Sequence, residues 1–179
     1  MRLELTPHPD HPCKAVTGLS VEVSRSSPAR LSLRYTLKGA LGRLSLAAPS
    51  QPTRADGLWR HICFEAFVRA GNAAGYLELN FAPSTQWAAY RFTRYREGMA
   101  PARDIEPQIQ VRRATAEFAL DASVELDAEA STILRLALSA VIEDAEGRLS
   151  YWALAHPPGK PDFHHAGCFA LELPGASSP

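Results

Sequence analysis

A strict alternation of apolar and polar side chains is the feature that most constrains this fold. In residues 31–38, four apolar side chains alternate with four polar ones. Successive side chains of a β-strand point to opposite faces, so this period predicts a strand with one buried face. About ten short strand-like segments, separated by turn signals and without long amphipathic helices, predict an all-β antiparallel sandwich. The predicted strands are residues 19–23, 31–38, 62–69, 76–81, 87–92, 108–113, 116–120, 132–142, 149–155 and 168–173.

Length and charge limit the class of protein. A chain of 179 residues predicts one domain. We expect residues 1–12, which carry three prolines, to form an N-terminal arm and residues 174–179 a frayed tail. The 19 basic and 19 acidic residues cancel, which argues against nucleic acid or a membrane surface as partner. The first residues lack the features of a leader peptide, so we expect a cytoplasmic protein.

The first block of chemically informative residues is segment 58–68. Its strand pattern places Trp59, His61 and Glu65 on one face and Arg60 on the other. A carboxylate among aromatic residues is costly to bury alone, so Glu65 must face water, a cation or a hydrogen-bonding ligand.

The second block, residues 75–92, has the pattern of a hairpin. Glu78 and Asn80 belong to the polar row of its first strand, and Trp87 and Arg91 to a row on its second. If the two rows share a face, carboxylates, an amide, a guanidinium and an indole converge, which suits a sugar. The alternative is a set of cross-strand ion pairs on a solvated face, worth only ~0.2–1 kcal/mol each.

The third block, residues 150–165, ends a predicted strand in a proline-rich loop. Prolines reduce the entropy that a loop loses when it holds one conformation, so its polar side chains can be presented in a fixed geometry. The alternative is a purely structural connection. The polar side chains of the loop are His156, Lys160, Asp162, His164 and His165.

These blocks resemble the bacterial DOMON-like domains. The resemblance rests on residues 59–67, 78–84 with 87–92 and 95–99, and 151–165. It implies an immunoglobulin-like sandwich related to family 9 carbohydrate-binding modules and to haem-binding DOMON domains, whose ligands are sugars or haem. Glu65 matches the strand carboxylate of that family. The candidate ligand-binding residues are Arg60, His61, Glu65, Glu78, Asn80, Trp87, Arg91, His156, Lys160, Asp162 and His164.

These residues favour a non-catalytic domain that binds a carbohydrate or a sugar-nucleotide-like polar ligand on a sheet face. No cofactor is expected, and the three separated cysteines lack the spacing of a zinc or haem-attachment motif. The resemblance leaves two cofactors as alternatives. Haem would need Met99 with His164 or His165 as axial ligands, and Ca²⁺ is found in the sugar modules.

Two further classes of function stay open. Glu65 and Glu78 could act as acid and base on a glycoside if their carboxyl groups lie ~5–9.5 Å apart. Metal-assisted hydrolysis by the histidines of the third block is the other catalytic alternative, although no HExxH, P-loop, nucleophile elbow or GxGxxG motif is present. A protein-interaction module that uses strand edges or the aromatic face is the last alternative.

Overall fold

The computed structural model describes residues 1–175, which form twelve β-strands and three short 3-10 helices. None of the helices in this range is long and apolar enough to cross a membrane. The strands are β1 Arg2–Pro7, β2 Val16–Arg25, β3 Arg30–Gly39, β4 Cys63–Ala70, β5 Tyr76–Phe81, β6 Trp87–Phe92, β7 Ala100–Pro101, β8 Gln108–Arg113, β9 Glu117–Glu125, β10 Leu134–Glu143, β11 Leu149–Ala153 and β12 Leu171–Leu173. The 3-10 helices are Leu41–Arg43, Leu58–Arg60 and Ala166–Cys168.

The strands follow one hydrogen-bonded path in the order β7-β6-β5-β4-β10-β11-β1-β2-β3-β9-β8, with β12 beside β10. Every strand pair is antiparallel. Strand β1 joins two halves, since its first part pairs with β2 and its last two residues pair with β11. We call β1, β2, β3, β9 and β8 half A, and the remaining strands half B. The predicted all-β antiparallel fold is confirmed.

The two halves pack on one hydrophobic core. Apolar residues at alternate positions of β2, β3, β4, β9 and β10 belong to a single buried cluster. Between the halves, the Tyr35 ring lies 5.2 Å from the Phe64 ring, and Phe64 stacks on Phe118 at 5.8 Å. The hydroxyl of Tyr35 donates a hydrogen bond of 2.7 Å to the backbone carbonyl of Glu65. A fully buried hydroxyl is thereby satisfied across the core.

The outer face of half B is buried as well. Residues of β4, β5, β6 and β10 that point away from the first core form a second apolar cluster with residues 154–170, the connection between β11 and β12. We call this connection the strap. Phe163 and Cys168 of the strap are buried in that cluster. Burial on both faces explains the nearly continuous burial along β4 and β10.

Two expectations from the sequence need correction. The arm predicted for residues 1–12 is wrong for Arg2–Pro7, which is strand β1. Leu5 is buried in this strand and Leu3 packs on the core. The alternation is short and is followed by prolines, so the sequence pattern did not indicate a strand. The short β7 was also not predicted, which brings the count within residues 1–175 to twelve. Of the predicted tail 174–179, residues 176–179 lie outside the described range.

Candidate ligand-binding site

A cluster of polar side chains lies on the outer face of half B beneath the strap. Glu65 on β4 stands opposite Asn80 on β5 and opposite Ser139 on β10. Glu78 lies two residues before Asn80 and therefore points to the same face. The strap adds His164. We call these five residues the polar cluster.

One oxygen of each carboxyl group in the polar cluster accepts a hydrogen bond from a neighbouring side chain. Ser139 donates to Glu65 Oε2 at 3.3 Å, and the Asn80 amide donates to Glu78 Oε1 at 2.7 Å. His164 Nε2 lies 3.7 Å from Glu78 Oε2, beyond hydrogen-bond distance. Within residues 1–175, no nitrogen or oxygen hydrogen-bonds Glu65 Oε1 or Glu78 Oε2. The Cys63 thiol also hydrogen-bonds the Glu65 carboxyl group. Each carboxyl group thus retains an oxygen that has no nitrogen or oxygen partner among residues 1–175.

Burial sets the protonation of the polar cluster. It raises the pKa of Glu65 well above its usual range, the nearby Glu78 carboxyl raises it further, and the Ser139 hydrogen bond opposes both. Burial also raises the pKa of Glu78, against the opposing effects of the Asn80 amide and the charge of Arg96. A protonated carboxyl group can donate as well as accept a hydrogen bond, which widens the range of hydroxyl groups it can bind.

His164 is a neutral imidazole at pH 7. Burial and then the charge of Arg96 lower its pKa to about 4, so its contact with Glu78 is not an ion pair. The Tyr76 hydroxyl accepts the Arg96 backbone N–H at 3.1 Å and lies 2.7 Å from His164 Nδ1. This network assigns the ring proton of His164 to Nε2, on the side of Glu78.

Asp162 fastens the strap over the polar cluster. Its carboxylate accepts hydrogen bonds from the Tyr95 hydroxyl at 2.6 Å and the Arg96 guanidinium at 2.7 Å. It also accepts the backbone N–H of His164 at 3.2 Å. We call Tyr95, Arg96 and Asp162 the latch, because they connect the loop after β6 to the strap.

Exposed aromatic side chains border this face. Trp59 is 37% exposed and packs edge-on against Tyr90 at 6.0 Å, and Tyr95 of the latch is 52% exposed. The Tyr90 hydroxyl donates to Asp56 at 2.6 Å, and the Arg54 guanidinium lies 5.1 Å from the Tyr90 ring. An exposed ring backed by a rigid neighbour offers an apolar plane to a ligand.

The structure brings together some of the sequence-predicted residues and separates others. Glu65, Glu78, Asn80 and His164 meet in the polar cluster, and Asp162 lies in the latch. The other predicted residues do not join them.

Trp87 and Arg91 lie on the opposite face of the hairpin. Leu77 pairs with Arg91 and Phe81 with Trp87, so both share the inner face. Trp87 is buried in the core, and Arg91 reaches solvent, where it forms a bidentate ion pair with Asp104. The expectation that the two polar rows share a face is therefore wrong.

The remaining predicted residues are dispersed around the site. Arg60 and His61 are exposed beside Trp59, and the His61 ring lies 2.8 Å from Glu143. His156 binds the backbone carbonyl of Thr6 on β1, and Lys160 is exposed on the strap. Whether any of them contacts a ligand remains a prediction.

Sequence reasoning missed Ser139, Tyr95 and Arg96. Ser139 occupies a polar position of a predicted strand, and only the pairing of β10 with β4 places it beside Glu65. Tyr95 and Arg96 belong to residues 95–99, one of the segments that resemble the DOMON-like domains, so that resemblance was the available signal.

The haem and Ca²⁺ alternatives stay predictions, and the structure shows where the residues named for them lie. Within residues 1–175, no group of three or more His, Cys, Asp and Glu side chains is arranged to hold a metal ion. Met99 is 50% exposed in the loop after β6, whereas Nδ1 of His164 is occupied by the Tyr76 hydroxyl. His165 caps a 3-10 helix through its own Nδ1.

Comparison with known proteins gives the fold class. No protein-family model matches the chain, and no curated protein matches it. The fold is similar to that of a family 9 carbohydrate-binding module from Caldicellulosiruptor kristjanssonii solved with glucose, with a TM-score of 0.58 and 10% identity over 93% of this chain and 81% of that one. The same kind of module solved with cellotriose gives a TM-score of 0.51 at 10% identity, over 88% and 75%.

A particular solved structure is more similar still. A candidate carbohydrate-binding protein from Bacteroides uniformis superposes with a TM-score of 0.68 at 13% identity, over 94% of this chain and 83% of that one. At these identities the similarity establishes a common fold and leaves function to the site.

Proposed function

We propose that this chain is a non-catalytic carbohydrate-binding domain whose site is the outer face of half B. The observation that carries the proposal is the pair of buried carboxyl groups, Glu65 and Glu78, each with an oxygen that no nitrogen or oxygen of residues 1–175 hydrogen-bonds. Within residues 1–175, Arg69 Nε is the only fully buried side-chain nitrogen or oxygen without a hydrogen-bond partner, so both carboxyl oxygens keep some contact with solvent. A hydrogen-bonding ligand can replace the water that reaches them.

The chemistry of this face suits a sugar. Sugar hydroxyls both donate and accept, and the polar cluster offers two carboxyl groups, an amide, a hydroxyl and a neutral imidazole. Trp59 and Tyr95 at its border offer aromatic planes for the apolar faces of a pyranose ring. The similarity in fold to carbohydrate-binding modules supports this assignment.

Binding requires movement of the strap. Glu65 and Glu78 are only 3% and 5% exposed, so a ligand reaches them after the strap has opened. Opening breaks the latch and also exposes Phe163 and Cys168, which the strap buries in the second apolar cluster. It therefore costs the free energy of that burial, about 1.5–3 kcal/mol for a side chain such as Phe163. A ligand that binds the polar cluster offsets this cost and shifts the population toward the open strap.

Two finer assignments belong to the same proposal. We infer an immunoglobulin-like sandwich of the DOMON-like group, supported by the two packed halves and by the motifs of residues 59–67 and 151–165. We also infer a cytoplasmic location and, from the chain's balanced charge, a small sugar or sugar-nucleotide-like ligand instead of a nucleic acid or a membrane.

Calorimetric titration of the protein with glucose, cellotriose, N-acetylglucosamine and a uridine diphosphate sugar tests the proposal. We expect Trp59→Ala to weaken binding at least about tenfold, which corresponds to ~1.4 kcal/mol. Ile133→Ala is the matched control, because Ile133 is an exposed large apolar residue before β10 that belongs to neither the polar cluster, the strap nor the latch. Absence of binding to every sugar, or equal losses in both variants, would contradict the assignment.

Glycoside hydrolysis is the second candidate, favoured by the raised pKa of Glu65, which is the property of a general acid. Incubation with cellotriose separates the two functions. Release of glucose that disappears in Glu65→Gln supports catalysis, and binding without release supports a binding domain.

A further inference from the structure

The outer face of half A is an open polar groove, far from the strap in the strand order. Alternate residues of its strands point away from the core and line a concavity of about 720 Å³, continued by a second one of about 420 Å³. The two concavities share four lining residues: Arg2, Glu22, Arg34 and Arg112. This surface plays no part in the proposed sugar site.

A row of short hydroxyl side chains forms the floor of the larger concavity. Ser24 on β2 pairs with Ser32 on β3, which pairs with Ser123 on β9. Gln108 on the edge strand β8 completes the row opposite Ser123. The rows on either side carry charged side chains, Arg34 with Asp121 and Arg30 with Glu125. The shorter serines therefore leave a depression that runs across the strands.

The lining of the two concavities differs in charge from the whole chain. The residues lining the two concavities include five basic and three acidic side chains, an excess of two positive charges, whereas the whole chain carries a net charge of +0. The basic residues are Arg2, Arg34, Lys38, Arg112 and Arg113, and the acidic ones are Glu22, Glu117 and Asp121.

One carboxylate positions two guanidinium groups in the groove. Asp121 binds Arg34 at 2.5 Å and Arg112 at 2.8 Å from opposite neighbouring strands. The side chains of Arg34 and Arg112 are nevertheless 48% and 59% exposed. Each guanidinium has five N–H donors, so both groups retain donors for an external anion after binding Asp121.

We propose that this groove binds an extended anionic polysaccharide whose sugar units carry carboxylates. The two positioned guanidinium groups match carboxylates in bidentate geometry, and the serine row matches the intervening hydroxyls. Among residues 1–175, no aromatic residue lines either concavity, so the groove lacks the stacking planes that neutral glycans and single-stranded nucleic acids use.

Affinity electrophoresis through polygalacturonate, compared with neutral xylan, tests this proposal. We expect retardation by polygalacturonate alone, decreasing with added salt because the arginines are exposed. The double variant Arg34→Gln, Arg112→Gln should weaken the interaction at least about tenfold. Arg30→Gln is the matched control, since Arg30 lies on the same strand and pairs with Glu125 but does not line the groove.

Several outcomes overturn the proposal. These are equal retardation by xylan, equal losses in Arg30→Gln and the double variant, binding to single-stranded DNA of matched charge, or a dimer by sedimentation that the double variant dissociates. Trp59→Ala should leave polygalacturonate binding unchanged. A failure of this groove therefore leaves the proposed sugar site untouched, and the converse also holds.

Discussion

The latch should control how often the strap opens, and Asp162→Asn tests this. The substitution keeps one acceptor oxygen but removes the charge that binds Tyr95, Arg96 and the His164 N–H. Charge-assisted hydrogen bonds contribute about 1.5–3 kcal/mol when buried, but Arg96 is 50% exposed, and exposed pairs contribute ~0.2–1 kcal/mol. We therefore expect the opening free energy to fall by about 1–2 kcal/mol, which is about a 5- to 30-fold larger open population.

Native-state hydrogen exchange measures this change. The amide of Leu154 in the strap is hydrogen-bonded to the Leu138 carbonyl of β10 at 3.0 Å, so its exchange reports separation of the strap from half B. Asp104→Asn is the matched control, because Asp104 forms an exposed bidentate pair with Arg91 away from the strap. Exchange in Asp162→Asn that stays within about twofold of the native rate, or an equal change in the control, would refute the role of the latch.

The effect of Asp162 should also depend on pH. Burial alone would raise its pKa, but the hydrogen bonds from Tyr95 and Arg96 outweigh this and lower the pKa below its usual value. A carboxylate with a lowered pKa stabilises the closed strap above its ordinary pKa of about 3.9, and this stabilisation disappears as the pH falls through the lowered value. The native protein and Asp162→Asn should therefore exchange at similar rates in strong acid and diverge toward neutrality.

Three further changes have defined outcomes in urea unfolding. Glu65→Gln should stabilise the protein at pH 8 more than at pH 5. The folded state raises the pKa of Glu65, so the native carboxyl group loses its favourable contribution as the pH rises from the ordinary pKa to the raised one, whereas glutamine does not titrate. Equal effects at both pH values would contradict this. Tyr35→Phe removes the hydrogen bond across the core and should cost about 1 kcal/mol, or roughly 2–4 °C in Tm; an unchanged midpoint would be inconsistent with it. Gly39→Ala should cost at least about 3 kcal/mol, because Gly39 has φ +149° and a Cβ would overlap the Ala15 carbonyl. Gly18→Ala is the control: a Cβ at Gly18 has no atom within 4 Å, so this change should cost under about 1 kcal/mol.

Strand positions were predictable because they depend on local alternation. Residues 76–81, 87–92 and 108–113 were predicted with the bounds that the structure shows. Local alternation failed at β1, where only Leu3 and Leu5 carry the pattern ahead of a run of prolines.

The composition of the site was less predictable than the strands. Glu78 and Asn80 share a face because they are two residues apart on β5, which the alternation predicted. Glu65 joins them through the pairing of β4 with β5, which no local pattern predicted. Which side chains of β6 point to the core was not predictable, because five of its six residues are buried and the sequence pattern does not distinguish the two faces of the strand. Ser139 joins the polar cluster from a strand 74 positions away, a pairing that no local pattern encodes.

Strand β1 has a consequence for synthesis of the chain. Thr6 pairs with Ala153, a separation of 147 positions. During synthesis, the last two residues of β1 thus wait for β11 before they are paired, which is the kind of long-range contact that slows folding. Until then Thr6 and Pro7 present an open edge, although Arg2–Leu5 can already pair with β2. The nascent protein therefore passes through a stage in which it can pair with other chains, and a chaperone that shields this edge would raise the yield of native molecules.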